Sequence, residues 1–189
     1  MQREETPVDT SITVGHAVLE LVQGDITAQP DLDAIVNAAN AQLTTGGGVA
    51  GAIHRAAGPQ LARAGRALAP IRPGEVVVTD AFNLPNRRVL HALGPVYGQD
   101  EPSDVLLASC YRRALELAAD EELASVGFPA ISTGVFGFPL RPAAEVALRT
   151  VRDALRQPTS LRLVRFVLFS PDDLRVHAEV LAELERSEP

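Results

Sequence analysis

Residues 34 to 51, AIVNAANAQLTTGGGVAG, run from a short apolar segment through a glycine-rich turn into a segment with helical periodicity. The apolar part, Ala34 to Asn37, has the length and the β-branched residues of a strand. The helical part extends from Val49 to Ala57 and directly follows three glycines, Gly46 to Gly48. This stretch therefore predicts a strand, a glycine-rich loop and a helix in succession, as in an α/β fold.

The same alternation continues along the chain. Six strands are predicted, over Ala17 to Val22, Ala34 to Asn37, Glu75 to Thr79, Val89 to Leu93, Val126 to Ala130 and Val164 to Phe169. Helices are predicted over Val49 to Ala57, Pro59 to Leu68 and Asp172 to Glu185. Two further segments have the apolar face of a helix. The first face consists of Val105, Leu106, Ser109, Cys110, Ala114, Leu117 and Ala118, and the second of Ala144, Leu148, Val151 and Leu155. Ser170 is placed to cap the last helix, with Pro171 at its first position. We expect a three-layer α/β/α sandwich with a central mixed sheet of about six strands, which binds its ligand at the carboxyl ends of the strands.

A second glycine-rich segment, Ser132 to Pro139 (STGVFGFP), follows the predicted strand Val126 to Ala130 and again leads into a helix. Glycine lets the backbone approach an anion closely, and successive N–H groups at a helix N-terminus form a concave site for a phosphate. A single loop of this kind is commonly only a tight turn. Two such loops at equivalent positions favour a diphosphate ligand.

Composition excludes several classes of protein. The chain has 189 residues, 46% of them hydrophobic and 22% charged, which is typical of one globular domain. Its formal net charge of -7 argues against a nucleic-acid-binding protein. All 17 basic residues are arginine, which excludes Schiff-base chemistry, a lysine nucleophile and a P-loop lysine. The single cysteine, Cys110, has no disulfide partner, and no Cys and His cluster has metal-ligand spacing, so we expect neither a metal nor another cofactor.

The chain ends and the hydropathy lead to expectations about organisation and location. The N-terminus is polar and acidic, unlike a signal peptide, and no apolar run is long enough to span a membrane. We expect a flexible tail over residues 1 to 11, a single domain over residues 12 to 186, and a cytoplasmic monomer without a membrane partner.

Polar residues near the predicted strand ends have alternative interpretations. A carboxamide suits a tight turn, a ribose hydroxyl or a positioned water. A structural role in the turn is favoured for Asn37. For Asn40, a role in the turn and a role in binding a ribose hydroxyl or a water both stay open. Asp25 can accept a hydrogen bond from an exocyclic amine such as that of adenine, although on its own it is more typical of a cap.

Other polar and aromatic residues fit structural roles. The four histidines, His16, His54, His91 and His177, are scattered and form no nucleophile triad. Phe136 and Phe138 lie together in the second glycine-rich segment although aromatic residues are only 4% of the chain. Core anchoring is the simpler interpretation of Phe138, as strand core is of Phe166.

The glycines Gly46, Gly48 and Gly51 also fit the G-x-G-x-x-G spacing of nicotinamide-dependent dehydrogenases. That fingerprint requires its first glycine directly after the first strand and an acidic residue about 20 positions further on. Several residues separate the strand from Gly46, and the acidic Glu75 begins another predicted strand. A dehydrogenase is therefore disfavoured.

The motifs together resemble those of a macrodomain. They are, in order, Gly24 to Thr27 (GDIT), Ile35 to Asn40 (IVNAAN), Gly46 to His54 (GGGVAGAIH), Gly94 to Tyr97 (GPVY) and Ile131 to Gly137 (ISTGVFG). The resemblance extends from about Leu19 to Leu181 and implies an ADP-ribose-binding α/β/α module. ADP-ribose and ADP-ribosylated proteins are the partners that it implies.

The resemblance also implies roles for particular residues. Asp25 and the backbone of Ile26 would contact adenine, and Phe169 would stack on it. The diphosphate would lie between the two glycine-rich segments. The full substrate-binding set implied is Asp25, Ile26, Ala38, Asn40, Gly46, Gly47, Gly48, Val49, Ala50, Ser132, Thr133, Gly134, Val135, Phe136 and Phe169. Asn40 and Phe136 would surround the distal ribose, and Asn40 is the implied catalytic residue.

The segment Ala52 to Gly58 (AIHRAAG) is most similar to MacroD-type ADP-ribosyl hydrolases, which remove mono-ADP-ribose from acidic side chains or deacetylate O-acetyl-ADP-ribose. That class usually has an aspartate at the position of Ala50 and often a histidine at that of Thr45. A second hydrolase class uses a lysine nucleophile, which this chain lacks. The resemblance thus implies either a hydrolase in which a positioned water attacks without a protein carboxylate, or a reader module that binds ADP-ribose without turnover.

Overall fold

The computed structural model describes residues 10 to 187, which contain one seven-stranded sheet and five helices. The strands are β1 (Ser11–Val14), β2 (Ala17–Gln23), β3 (Ala34–Ala38), β4 (Val76–Asp80), β5 (Arg88–Ala92), β6 (Ser125–Phe128) and β7 (Leu163–Leu168). The helices are α1 (Gly48–Ala57), α2 (Pro59–Arg66), α3 (Ser103–Asp120), α4 (Leu140–Leu155) and α5 (Pro171–Arg186). The strand order in the sheet is β1-β2-β7-β6-β3-β5-β4.

The five central strands run parallel, and the two edge strands β1 and β4 run antiparallel to their neighbours. The register places Val22 of β2 beside Val167 of β7, and Ala38 of β3 beside Ala92 of β5. Parallel strands all end at the same edge of the sheet, so the loops that follow β2, β3, β5, β6 and β7 are brought together there.

Helices cover both faces of the sheet. On one face, α3, α4 and α5 pack over residues such as Leu19, Val36 and Phe166, none of which is exposed to solvent. On the other face, α1 and α2 pack over Ile35 and Val89. The central strands are therefore apolar on both faces, as expected of a parallel sheet.

The predicted α/β/α architecture with a mixed sheet is confirmed, and all six predicted strands form within one or two residues of the expected ends. The sheet has one strand more than expected, because β1 pairs with β2 across a turn at Gly15, which has a φ of +60°. β1 is only four residues long, and two of those residues are exposed, so it is too short to give the alternating pattern that predicts a strand.

The expected helix boundaries also agree closely with the structure, and the Ser170 hydroxyl accepts the predicted capping hydrogen bond from the Asp173 N–H over 3.1 Å. Residues 1 to 9 of the expected tail lie outside the described residues, and Ser11 already belongs to β1. No helix between residues 10 and 187 is both long enough and apolar enough to cross a membrane.

Candidate functional site

The carboxyl ends of the parallel strands carry nearly all of the residues singled out from the sequence. Asp25 and Ile26 follow β2, and Asn40 and the first glycine loop follow β3. The second glycine loop follows β6, which lies beside β3. Phe169 follows β7, which lies between β2 and β6. The sheet order therefore arranges these groups along one cleft in the order Asp25, Phe169, second glycine loop, first glycine loop.

The first glycine loop presents the uncapped N-terminus of α1. The N-terminal N–H groups of a helix have no acceptor within it. Gly47 is the N-cap residue and no side chain of the described residues caps the helix, so the N–H groups of Gly48, Val49 and Ala50 remain available. The first turn contains no acidic residue that would compete with a bound anion. This end of α1 is suited to hold a phosphate.

Two glycines explain the shape of this loop. Gly48 has a φ of +54°, a backbone conformation that disfavours other residues. At Gly51 a Cβ atom would lie 2.5 Å from the carbonyl oxygen of Gly46. The loop can therefore fold back against α1 only with glycine at residue 51.

The second glycine loop is open in the same way. The N–H groups of Gly134, Val135 and Phe136 donate to no acceptor among residues 10 to 187. The Thr133 hydroxyl instead donates to the Ala130 carbonyl over 2.9 Å, so its side chain holds the loop. Ser132 adopts a φ of +66°, and its buried hydroxyl has no hydrogen-bond partner in the part of the chain that the structure describes. Together the two loops can hold two adjacent anionic groups between them.

A buried tyrosine of α3 fixes the start of this loop. The Tyr111 hydroxyl accepts a hydrogen bond from the Ile131 N–H at 3.2 Å and donates to the Pro129 carbonyl at 3.4 Å. Burial raises the pKa of Tyr111, so the hydroxyl stays protonated and can fill both roles. Tyr111 lies 20 residues away from Ile131 along the chain, so no local sequence pattern indicates this contact.

The loop after β2 carries an exposed carboxylate, Asp25, at the carboxyl end of that strand. Asp25 Oδ1 accepts hydrogen bonds from the Thr27 hydroxyl at 2.7 Å and from the Thr27 N–H at 2.8 Å. These bonds lower the pKa of Asp25, so the side chain is ionised at neutral pH. Asp25 Oδ2 remains available to accept from an amine. One oxygen of Asp25 thus fills the expected capping role, while the other is free for the alternative role of accepting from an amine.

An arginine in β7 supports the same loop from below. Arg165 contacts Glu20 at 2.6 Å and Asp31 at 2.8 Å, and its Nη1 donates to Gln29 Oε1 at 2.8 Å. Gln29 Nε2 in turn donates to the Asp25 carbonyl at 2.9 Å. Sequence reasoning missed this chain of contacts, since Arg165 and Gln29 are separated by 136 residues.

Next to Asp25, Phe169 is 86% exposed although it is a large apolar residue. The neighbouring Ile26 side chain is buried against the sheet, so only its backbone can reach a ligand. An exposed aromatic ring beside an acceptor carboxylate is suited to a flat heterocycle with an amine.

At the other end of the cleft, the Asn40 side chain is held by Thr44. Asn40 Nδ2 donates to the Thr44 carbonyl at 3.0 Å, and Asn40 Oδ1 accepts from the Thr44 N–H at 3.1 Å. The second hydrogen of Nδ2 is left for a ligand, so Asn40 can serve as a donor. Ala50 is buried nearby, and neither glycine loop contains an Asp or a Glu.

Beneath this end lies a buried polar cluster. Asn37 Nδ2 contacts His91 Nδ1 at 3.1 Å, and His91 Nε2 contacts the Thr79 hydroxyl at 2.9 Å. The Thr79 hydroxyl donates to the Asp80 carbonyl, so His91 must be the donor to Thr79 and the acceptor from Asn37. Burial lowers the pKa of His91 to about 4 and, less strongly, nearby His54 does the same. His91 is therefore neutral, and Asn37 is structural within β3 rather than in the expected turn.

His54 and Asn37 contain buried atoms without partners. Both ring nitrogens of His54 and the Oδ1 atom of Asn37 lack a hydrogen-bond partner among the described residues. Burial lowers the pKa of His54. The other expected structural residues are also placed in the core: Cys110, with its pKa raised by burial to about 12, and Phe166 and His177, whose rings pack against each other.

The aromatic residues of the second loop have different surroundings. Phe138 is buried and packs on Tyr97 with a ring centroid distance of 4.7 Å, in agreement with the expected anchoring role. Phe136 is half-buried and packs on a small cluster that includes Ala39, Leu43 and Leu93. Its carbonyl accepts a hydrogen bond from the Tyr97 N–H at 2.9 Å. Phe136 thereby connects the second loop to the segment that carries Asn40.

No group of three or more His, Cys, Asp or Glu residues within residues 10 to 187 is arranged to hold a metal ion. The chemistry that the cleft offers is therefore that of backbone N–H donors, one free carboxylate oxygen, one carboxamide donor and an exposed aromatic ring.

A family model and the sequences of related proteins point to the same family. The macro domain family model matches residues 36–147. A macro domain-containing protein of Chlorobaculum tepidum is 44% identical over 168 residues, which cover 88% of this chain and 97% of the relative. One from Listeria monocytogenes is 46% identical over 170 residues, which cover 86% of this chain and 96% of the relative.

Solved structures agree with the sequence relatives. The Oceanobacillus iheyensis macrodomain with ADP has a TM-score of 0.91 and 41% identity, and the match covers 94% of this chain and 97% of that one. The Trypanosoma brucei macrodomain in complex with ADP-ribose has a TM-score of 0.79 and 41% identity, covering 86% of this chain and 68% of that one. The cleft built from β2, β3, β6 and β7 is thus carried by a chain that belongs to the macro domain family.

Proposed function

We propose that this macro domain binds ADP-ribose in the cleft and hydrolyses esters at its distal ribose, releasing mono-ADP-ribose from Asp or Glu side chains or acetate from O-acetyl-ADP-ribose. The observation that carries the proposal is the pair of facing loops with open N–H groups, Gly46 to Ala50 and Ser132 to Phe136, on adjacent strands. Such a pair matches the two phosphates of a diphosphate. The relatives solved with ADP and with ADP-ribose support this choice of ligand.

The remaining groups fit the two ends of ADP-ribose. Asp25 Oδ2 accepts from the adenine amine, and the exposed Phe169 ring stacks on the base. The strand order puts Asn40 at the opposite end of the cleft, which supports our assignment of the distal ribose to that end. Asn40 donates to a ribose hydroxyl through the Nδ2 hydrogen that Thr44 does not use. Ala38 and Val49 complete the floor of the cleft, and Phe136 covers the ribose.

Hydrolysis in this cleft proceeds without a protein carboxylate as base, because Ala50 supplies only a methyl group. A water held between the distal ribose and a phosphate oxygen attacks the ester. The water oxygen bonds to the carbonyl carbon of the ester, the bond from that carbon to the ribose oxygen breaks, and a proton of the water passes to the ribose oxygen. The products are ADP-ribose and a carboxylic acid. Positioning supplies most of the rate, since the loop N–H groups hold the diphosphate rigidly.

The second candidate function is a reader that binds ADP-ribose without turnover. The buried Ala50 at the start of α1 favours it, because neither glycine loop provides a general base. The reader and the hydrolase share the whole binding cleft and differ only in whether the attacking water is held productively.

Release of ADP-ribose from a protein modified on Glu or Asp separates the two functions. We expect release by the wild type and a loss of at least tenfold in Asn40→Ala, with a smaller change in ADP-ribose affinity. The control is Asn83→Ala, the same truncation at an exposed site at the opposite edge of the sheet. No release by the wild type, with activity gained in Ala50→Asp, would establish the reader. Failure to bind ADP-ribose would overturn both functions.

A further inference from the structure

The segment from Ala34 to Gly74 has an unusual charge composition. It holds four of the chain's 17 basic residues and none of its 24 acidic ones, in a chain with a net charge of -7. We infer that three of these arginines, Arg63, Arg66 and Arg72, form a docking surface for an acidic polypeptide that flanks an ADP-ribosylated residue. This inference rests on the proposed function, and it adds the class of protein that the cleft selects.

The three side chains are exposed and carry uncompensated charge. None of them makes an ion pair or a side-chain hydrogen bond within residues 10 to 187. Arginines elsewhere are commonly paired: Arg165 contacts two carboxylates and Arg141 contacts three. Glu75 is the acidic residue next to the surface, and its carboxylate accepts from the Arg72 backbone N–H at 2.7 Å.

The path of the chain brings these arginines to the cleft. α1 leaves the cleft and ends near Asn83, whose N–H donates to the Ala57 carbonyl at the opposite edge of the sheet. α2 then runs back, and its Gly65 packs so closely on Leu43 that a Cβ atom would lie 2.9 Å from the Leu43 carbonyl oxygen. Arg66 is the next residue and the last of α2.

The residues after α2 remain beside the same loop. The Ile71 N–H donates to the Ala41 carbonyl at 3.0 Å, which places Arg72 next to the segment that carries Asn40. Arg63 lies one turn before Arg66 on α2. A fourth exposed arginine, Arg55, belongs to α1, and its Nη1 lies 3.1 Å from where a Cβ atom on Gly51 would be. Because it lies close to the first glycine loop itself, Arg55 is kept unchanged in every variant of the test.

The position and the charge together identify the partner. The distal ribose lies beside Asn40, so a protein attached to that ribose leaves the cleft next to Arg66 and Arg72. Proteins modified on Glu or Asp present further carboxylates when the modified residue lies in an acidic segment. Carboxylates and guanidinium groups then pair across the interface, which speeds association and adds affinity that salt weakens. A small adduct such as an acetyl group does not reach this surface.

The test uses peptides that carry ADP-ribose through a non-hydrolysable linkage, flanked either by glutamates or by glutamines. Binding is measured for the wild type, for a triple variant with Arg63→Gln, Arg66→Gln and Arg72→Gln, and for free ADP-ribose. A matched control changes Arg112, Arg149 and Arg186 to Gln, which are exposed residues of α3, α4 and α5 on the other helical layer and have no carboxylate partner between residues 10 and 187.

We expect the wild type to prefer the glutamate-flanked peptide about tenfold at low salt, the magnitude of a few exposed ion pairs. The preference disappears in the triple variant and persists in the control, while affinity for free ADP-ribose is unchanged. Equal affinity of the wild type for both peptides would overturn the inference, as would the same loss in both triple variants. Absence of binding to free ADP-ribose would instead show that the proposed function fails.

Discussion

The Thr44 hydroxyl lies 3.3 Å from Asn40 Oδ1, and the backbone N–H of Thr44 donates to the same oxygen at 3.1 Å. Both acceptor sites of the Asn40 side-chain oxygen are thereby engaged, and the carboxamide is fixed with an N–H directed to the cleft. Thr44 therefore acts as a positioning residue for Asn40.

Replacement of Thr44 by Val removes the hydroxyl and keeps the backbone bonds. We expect about a twofold lower kcat with unchanged ADP-ribose affinity, because one exposed, long hydrogen bond is lost. Asn40→Asp removes the Nδ2 donors and should lower kcat more than tenfold. Kinetics of ester hydrolysis measure kcat for the two variants, and calorimetry measures their affinity for ADP-ribose. A Thr44→Val variant that loses affinity rather than turnover would contradict the positioning role.

Replacement of Asp25 by Ala tests recognition of the base. The variant lacks the charge-assisted hydrogen bond that we propose between Asp25 and the adenine amine, so we expect about tenfold weaker ADP-ribose binding. An analogue with hypoxanthine, which carries an oxygen in place of the amine, should bind wild type and variant alike. Asp104→Ala, the same change at an exposed position of α3, is the control. Equal losses for both ligands would show that Asp25 only shapes its loop.

Replacement of Tyr111 by Phe tests the support of the second glycine loop. The buried Ile131 N–H loses its acceptor, so the free energy of unfolding should fall by about 1 to 3 kcal/mol. ADP-ribose affinity should fall as well, because the loop that we propose to hold the diphosphate is less well fixed. Urea unfolding and calorimetry measure these effects. Tyr97→Phe serves as the control, since the contacts of Tyr97 are made by its ring and its backbone.

The buried His91 predicts a loss of stability in acid. Its pKa is about 4 in the folded protein and 6.5 when unfolded, so the unfolded chain binds a proton first as the pH falls. Stability is fully present above pH 6.5 and falls by about 3 kcal/mol on going to pH 4. Glutamine at residue 91 provides a hydrogen-bond acceptor and donor but has no titrating group. The unfolding free energy of His91→Gln should therefore vary less between pH 6.5 and pH 4 than that of the wild type. Urea unfolding at pH 7 and pH 4.5 measures the difference, with exposed His16→Gln as a control that should match the wild type.

Local sequence determined much of this protein. The apolar segments of β2 to β7 and the periodicity of the helices predicted the layers, because strand and helix patterns depend on neighbouring residues. The cap at Ser170 and the two glycine loops were predicted for the same reason. The positions of Asp25, Asn40 and Phe169 at strand ends followed from these patterns, and the macrodomain resemblance assigned their expected roles.

Only the tertiary structure decided how those residues are held and what surrounds them. Arg165 reaches Asp25 through Gln29, Tyr111 holds Ile131, and α2 returns to bring Arg66 beside the Asn40 loop. These contacts join residues 20 or more positions apart, or depend on the direction in which a helix returns. No periodic pattern encodes them, because they arise from the order of strands in the sheet and from packing between layers.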